Sequence, residues 1–584
     1  LYDYKDKIKH IRTSHEQGAV HAADGYARSS GNVGVCFLTS GPGATNAITG
    51  IATAYMDSSP MVCFSGQVPT SLLGKDSFQE IDITGVTLSV TKHNFLIRDA
   101  KDLPKTIKEA FKIASSGRKG PVLIDIPKDL MLTEVDFNVD DYIPSNLEIP
   151  SKNEFDLKEE HDNEKKISEA CKLIKESKRP IIYAGGGVKS ANKERLLVDF
   201  AKKIDTPVLN TIMGLGDIDR DDELSLGMLG MHGSKEGNLA ISNSDLIIAI
   251  GARFSDRVIG KSSEFAKDAK IIHMDIDPSE INKNINVDVD LVGDLSVLLE
   301  DLYNRVDKKE NKYWREKIKT YKDKEHIIGD DEFHPQNILS LVNKKLGKNT
   351  VTVTDVGQHQ MWAAKYGNFS LGKSFITSAG LGTMGFGMGA SIGAQMGNPK
   401  AVVFNIAGDG SFGMDCNEFA TAVNFKLPVK VIVMNNNALG MVRQWQSLFY
   451  EGRYAETTLN RATDFVNVSD AENDFVLCEN TTYLYFVTKI VKPYYITSST
   501  KSYKPTRLQY ENYLKNPSNT TTAVKNCITT YYIPAINALA DSDTVNNALM
   551  DESLELLTTI TFDNKELLRE YINACKVVEE DVEE

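Results

Sequence analysis

The chain has 584 residues, too many for a single hydrophobic core, and its length fits about three or four domains. Its apolar (41%) and charged (25%) fractions are those of a globular protein, and no apolar run reaches the roughly eighteen residues of a membrane span. A net charge of −14 without a clustered basic face argues against nucleic acid as a partner.

The chain opens with "LYDYKDKIKHIRT", which reads like the interior of a domain and carries no charged-then-apolar signal pattern. Residues 1–135 then alternate short apolar runs with small-residue helices: "VGVCFLTSGPGATNAITGIATAYMDSSPMVCFSGQ" predicts strand, glycine turn, helix and strand. "GPVLIDIPKDL" closes this unit, and the acidic, glycine-free stretch from Met131 to Glu164 reads as a linker. A second unit over 165–305 has strands at "PIIYAGGGV", "PVLNTIM", "DLIIAIGARF" and "KIIHMDID". Continuous β-branched runs separated by helical segments indicate a parallel sheet covered on both faces, so the fold class is α/β. A lysine-rich helical linker, about 307–330, leads to a third unit over 331–465 with strands at "TVTVTDVG", "AVVFNIAGDG" and "VKVIVMNNN". The last glycine is Gly452, and residues 466–584 are rich in Tyr, Thr and Asn, so this tail breaks the α/β rhythm. Seven scattered cysteines without Cys-x-x-Cys spacing predict free thiols in a reducing compartment, and the expected location is cytoplasmic.

The third unit carries the most informative pattern. "AVVFNIAGDG" is a buried strand entering a glycine turn, and "SFGMDCNEFATAVNF" has apolar residues at helical spacing. Such a turn directs free backbone N–H groups at an anion, which suits a phosphate. Asp409 in that turn would repel phosphate unless a cation sat between them. A hard divalent ion needs about six oxygens. Asp409, the Asn436 amide and the Ala438 carbonyl can supply three, because the next strand, "VKVIVMNN", is expected to return parallel and adjacent. A lone Gly-Asp-Gly is more often a turn, and the second β-run ending in Asn-Asn is what gives it weight.

This pattern resembles the thiamin-diphosphate motif of the thiamin-dependent enzymes, with Gly408, Gly410 and Ser411 at the diphosphate. "HEQGAVHAADGYAR" followed by "TSGPGATN" resembles their pyrimidine-binding domain. The resemblance implies that Glu16 bonds the cofactor's aminopyrimidine from an apolar site that raises its proton affinity. On local grounds Glu16 is an ordinary first-turn glutamate. Gln79, Gln358, His359 and Met384 are the further expected cofactor contacts, with Met384 bracing the cofactor's bent shape, and Gly389 stands where the family carries proline. Glu16 and Asp409 lie in different domains, so the family arrangement implies that the site forms between subunits of a homodimer or tetramer.

Residues 1 to about 465 resemble, more narrowly, the large catalytic subunit family of acetolactate (acetohydroxyacid) synthases. "AGGGV", "GMLGMHG", "GARFSDRVIG" and "HMDIDP" are similar to that family's flavin-binding domain. FAD is then expected at Gly186, Gly251, Arg253, Asp275 and Asp294. Arg257 resembles the arginine that clamps a ketoacid carboxylate, a task for a guanidinium fork. Trp445, with Met441 beside it, resembles the residue that packs the ethyl group of 2-ketobutyrate, while Phe78, Gln79 and Lys128 line the approach. The resemblance implies decarboxylation of pyruvate and transfer of its two-carbon unit to pyruvate or 2-ketobutyrate, with Mg2+ and a structural FAD. It also implies a small regulatory subunit and an early step of branched-chain amino-acid biosynthesis. Two departures are expected to matter. The family's first strand and a Tyr-Pro-Gly-Gly loop would precede residue 1, and after "NRATDFV" the closing elements and C-terminal lid are not recognisable. A truncated or fused, inactive form is therefore one alternative, and another thiamin-diphosphate and FAD enzyme, such as a pyruvate oxidase, is the second.

Overall fold

The computed structural model describes residues 4, 6–138, 154–321, 334–345, 349–460, 496–498 and 501–503. Residues 1–461 form one compact unit and 462–584 a second. The first unit contains three parallel sheets. In the first, β1 (Gly34–Leu38), β2 (Met61–Gln67), β3 (His93–Leu96) and β4 (Pro121–Pro127) pair in the order β1-β2-β4-β3. The second sheet comprises β5 (Pro180–Ala184), β6 (Val208–Asn210), β7 (Ser225–Met228), β8 (Leu246–Ile250), β9 (Lys270–Asp275) and β10 (Val289–Val292), ordered β10-β9-β8-β5-β6-β7. The third has β11 (Thr350–Thr354), β12 (Phe375–Ile376), β13 (Val402–Gly408) and β14 (Lys430–Met434) in the order β12-β11-β13-β14. All pairings in these sheets are parallel, as the unbroken apolar runs of the central strands require: β4, β5 and β8 are buried at every residue.

Strand order reverses between β5 and β8 in the second sheet, and between β11 and β13 in the third. Such switch points open a crevice beyond the carboxyl ends of the strands, where ligands of doubly wound folds bind. The first and third domains meet through the helices Glu16–Ser30 and Gly387–Gly397, both rich in glycine and alanine. A Cβ on Gly393 would lie 1.7 Å from the Ala22 carbonyl oxygen, and one on Gly25 would lie 2.0 Å from that of Ala390. Buried Arg28 extends this junction: it pairs with Asp24 (2.6 Å) and Asp57 (3.1 Å) and donates to the Thr377 carbonyl (2.7 Å).

The structure corrects the first linker reading, and in the second it finds the expected helix packed into a domain. The helix Glu154–Glu176 starts within the stretch expected to be a linker to Glu164, and it buries Ile167, Ala170 and Ile174 against the second domain. Within the lysine-rich stretch, the helix Lys312–Lys319 buries Trp314 and Ile318 in the same domain's core. Residues 139–153 and 322–333 lie outside the described residues. So does the divergent tail, except an antiparallel hairpin of β15 (Ile496–Ser498) and β16 (Lys501–Tyr503) in the second unit. Among the described residues no helix is long and apolar enough to cross a membrane, and Cys36, Cys63, Cys171 and Cys416 are free thiols.

Candidate active site

Beyond the carboxyl ends of β11, β13 and β14 lies a cleft enclosing about 420 Å³, open solvent included. Gln358, His359, Met384, Gly408, Asp409, Gly410, Ser411, Asn436, Ala438 and Met441 all line it. The register explains the gathering: β13 and β14 pair in parallel with Gly408 opposite Met434, so Asp409 and Asn436 leave neighbouring strands at the same edge. The segment expected as one helix after the turn is two, Asp409–Asp415 and Glu418–Asn424. Asp409 is only 3% exposed.

Two turns fix the asparagine loop. Asn435 and Asn436 accept hydrogen bonds through Oδ1 from the amides two residues on, Asn437 (3.2 Å) and Ala438 (3.1 Å), and Asn437 is left-handed (φ 51°). A short antiparallel strap adds the Leu439 amide to the Thr457 carbonyl (2.9 Å) and the Leu459 amide to the Asn437 carbonyl (2.7 Å). Asp409, Asn436 and Ala438 could offer a cation one carboxylate, one amide oxygen and one main-chain carbonyl. These are hard oxygens, which fit Mg2+ with positions left for water and diphosphate.

His359 lines the same cleft, its ring against Gly408. Burial pushes its imidazole down to about 3, against the opposing effect of a hydrogen bond to the Asp355 backbone, so the ring is neutral at physiological pH. Its Nε2 is buried with no protein partner, a polar atom placed for a polar ligand. Gly357 and Gly408 make room for this ring: a Cβ on either would come within 2.7 Å or less of it. Gly410 performs the same service for Leu439, Leu459 and Met384, whose Cε lies 3.6 Å from the position a Cβ would take. The loop carrying Met384 is held by Asp355, which accepts from the Gly385 amide (2.9 Å) and the Gly387 amide (3.1 Å). Burial raises the Asp355 carboxyl to about 6, against the pull of these amides. The sequence reading passed over Asp355, whose one signal was its place at the end of a β-run.

Glu16, Phe78, Gln79 and Lys128 are not in this cleft. They gather instead beyond the carboxyl ends of the first sheet. Glu16 heads its helix, accepts from Asn46 Nδ2 (3.1 Å) and lies beside Gly43 of the short helix Pro42–Asn46 after β1. Gln79 is left-handed (φ 61°) with Gly41 pressed against its backbone, and the Lys128 amide donates to the Gln67 carbonyl (3.0 Å). Phe78 is 89% exposed.

Gly186, Gly251, Arg253, Asp275 and Asp294 lie along the carboxyl edge of the second sheet. The turns after β5 and β8 pack backbone on backbone: the Gly187 amide donates to the Gly251 carbonyl (3.0 Å), and Gly251 is left-handed (φ 55°). Asp275 ends β9, accepts from the Asp277 amide (2.9 Å) and has its carboxyl raised, mainly by burial. Asp294 caps the helix Leu295–Arg305 through the Ser296 amide (2.7 Å). This edge is the switch point of the second sheet, and its close-packed glycines and terminal acid fit a dinucleotide.

Arg257 and Trp445, from different domains, meet: the guanidinium carbon is 5.3 Å from the ring centroid. Met441 and Trp445 share the helix Gly440–Phe449, which joins this pair to the cleft. His232 stands in the same group. Its imidazole is lowered by burial, raised by a hydrogen bond with Gln444 and lowered again by the Arg257 charge. His232 lies within "GMLGMHG", where nothing in its local pattern marks it as a site residue.

Three family models match the chain: the N-terminal TPP binding domain of thiamine pyrophosphate enzymes over residues 1–86, the central domain over 167–302 and the C-terminal TPP binding domain over 355–476. The class is that of the thiamine pyrophosphate enzymes. The chain is 45% identical to the probable acetolactate synthase large subunit of Methanocaldococcus jannaschii, over 81% of each chain. It is 44% identical to the acetolactate synthase large subunits of Pyropia yezoensis, over 81% of this chain and 80% of that one, and of Corynebacterium glutamicum, over 80% and 75%. The chain belongs to the acetolactate synthase large-subunit family.

Proposed function

We propose that the chain is the catalytic subunit of an acetolactate synthase, joining the two-carbon unit of decarboxylated pyruvate to pyruvate or 2-ketobutyrate. The observation that carries this reading is the common cleft of Asp409, Asn436, Ala438 and His359 at the switch point of the third sheet. Thiamin diphosphate, when bound, supplies the electron sink for decarboxylation. Asp409, the Asn436 amide and the Ala438 carbonyl would hold Mg2+, and Gly410, Ser411 and His359, which line the same cleft, would hold the diphosphate. Met384, whose loop is fixed by Asp355, would brace the cofactor from below its rings. Glu16 moves the proton at the aminopyrimidine.

Arg257 binds the carboxylate of the second ketoacid as a fork, and Trp445 and Met441 pack its alkyl group. Alignment of the two reactants and exclusion of water are the protein's contribution to the joining step. The carboxyl edge of the second sheet, at Gly186, Gly251, Arg253, Asp275 and Asp294, would hold FAD. Because Glu16, Phe78, Gln79 and Lys128 stand apart from their own chain's cleft, the complete site forms between two copies, with Glu16 of one serving the cleft of the other. The exposed Phe78, Leu88 and Leu132 of the first domain support such an assembly. A small regulatory subunit is the expected further partner.

The test is incubation of the purified chain with pyruvate, thiamin diphosphate, Mg2+ and FAD, in air and anaerobically, followed by measurement of acetolactate, oxygen uptake and peroxide. Acetolactate formed without oxygen uptake supports the reading; no product, or peroxide formed in air, contradicts it.

A further inference from the structure

Glu418 lies at the start of the second short helix after the Gly-Asp-Gly turn and is wholly buried. Its carboxylate does not face the cleft of its own domain. It crosses to the first domain instead, where Oε1 accepts from the amides of His15 (2.8 Å) and Ser14 (3.1 Å) and Oε2 accepts from the same Ser14 amide (3.1 Å). Thr421 Oγ1 donates to Oε2 (2.7 Å), and the Ser14 hydroxyl donates to the Asn417 carbonyl (3.1 Å). A Cβ on Gly18 would lie 2.4 Å from Oε1, so the first turn of the helix Glu16–Ser30 is pressed onto this carboxylate. His15 caps that helix, its imidazole accepting from the Gln17 amide (3.1 Å).

The main-chain amides immediately before Glu16 are thus held by a single anion. Hydrogen bonds to a charged acceptor are shorter and stronger than neutral ones, and a buried one is costly to break. We propose that Glu418 is a positioning residue for Glu16: it fixes the backbone from which the Glu16 carboxylate projects. This rests on the reading above, in which Glu16 carries the aminopyrimidine proton in the partner's cleft. One consequence is specific. Glu418 follows directly on the segment that begins with Asp409, yet it serves the opposite active site. The covalent chain joins the cation ligand of one site to the acid of the other.

The experiment measures hydrogen–deuterium exchange at C2 of thiamin by NMR, with the full-length chain, saturating thiamin diphosphate and Mg2+, alongside cofactor affinity by titration. Displacing a reacting group by about an ångström costs on the order of 10²-fold in rate. Glu418→Ala is therefore expected to slow exchange by about 10²-fold with cofactor affinity unchanged. Glu418→Gln, which keeps the volume and one acceptor oxygen, should lose less, and it carries the test if the alanine variant does not fold. Glu16→Gln is the reference. If it exchanges like the unaltered chain, or the unaltered chain does not exchange, the reading of Glu16 fails. If Glu16→Gln is silent while both Glu418 variants exchange normally, or lose cofactor affinity instead of exchange rate, the positioning role is overturned. Mixed dimers test the crossing: an Asp409→Ala chain paired with a Glu16→Gln chain retains one complete site. Glu418→Ala should lower its activity by about 10²-fold when added to the Asp409→Ala chain and spare it when added to the other; the reverse pattern overturns the proposal.

Discussion

Gly408→Ala tests the packing of the cleft with little other disturbance. Gly408 has φ −95° and ψ 159°, a conformation any residue adopts, so the substitution carries no backbone strain. Its whole cost is steric. The new Cβ would sit 2.6 Å from His359 Nδ1 and 2.9 Å from Cε1, well inside the 3.4 Å at which ordinary contact begins. Gly357 lies against the ring as well, where a Cβ would be 2.7 Å from Cε1, so His359 has little room to shift. Forcing one methyl into such a site typically costs about 1–3 kcal/mol. Urea denaturation should show that loss, and titration with thiamin diphosphate and Mg2+ should show weakened binding as His359 shifts. Adding His359→Ala removes the obstacle, so the double variant should be less destabilised than the sum of the two single ones. A Gly408→Ala protein of unchanged stability and cofactor affinity would refute the geometry, and strict additivity would show that the ring is not what the methyl meets.

Arg28→Ala leaves Asp24 and Asp57 buried without their cation and should cost about 3–5 kcal/mol in denaturant unfolding, far more than a surface ion pair. His21 and His359 are both lowered to about 3, chiefly by burial, so the unfolded chain takes up protons that the native state refuses. The stability they lend is complete above pH 6.5 and is lost as pH falls towards 3, amounting to about 2 kcal/mol per histidine at pH 5. Asp125 and Asp355, raised by burial to about 7 and about 6, act in the opposite sense. The effect is therefore read as a difference: His359→Gln should lose less stability between pH 7 and pH 5 than the unaltered chain, and equal losses would count against a neutral buried imidazole. Trp445→Leu removes the ring under Arg257 and should reduce the preference for 2-ketobutyrate over pyruvate by about 10-fold in competition assays. An unchanged product ratio would place acceptor selection elsewhere.

What could be read from the sequence follows from what is local. β13 and β14 were legible because central parallel strands are continuous apolar runs, punctuated here by Gly-Asp-Gly and Asn-Asn. β3 (His93–Leu96) was not: it is a four-residue edge strand with partly exposed side chains, and two-residue β12 carries no pattern at all. The packing of the two linker stretches was not legible, because the sparse apolar positions of Ile167, Ile174, Trp314 and Ile318 are hidden among charges. The cleft residues were found by motif, but the groups that hold them in place were not. Asp355 reaches the Met384 loop some thirty residues away, and Glu418 bonds residues at the opposite end of the unit. Neither differs locally from a strand-end acid or a first-turn glutamate, since their partners are set by tertiary packing.

The most direct test is anomalous diffraction from crystals grown with Mn2+ in place of Mg2+ and with thiamin diphosphate. One metal peak is expected at about 2.0–2.2 Å from an Asp409 carboxylate oxygen, Asn436 Oδ1 and the Ala438 carbonyl, with diphosphate oxygens completing its shell. A cofactor bound with its metal elsewhere, or with the Asp409 carboxylate turned out of the cleft, would contradict the account.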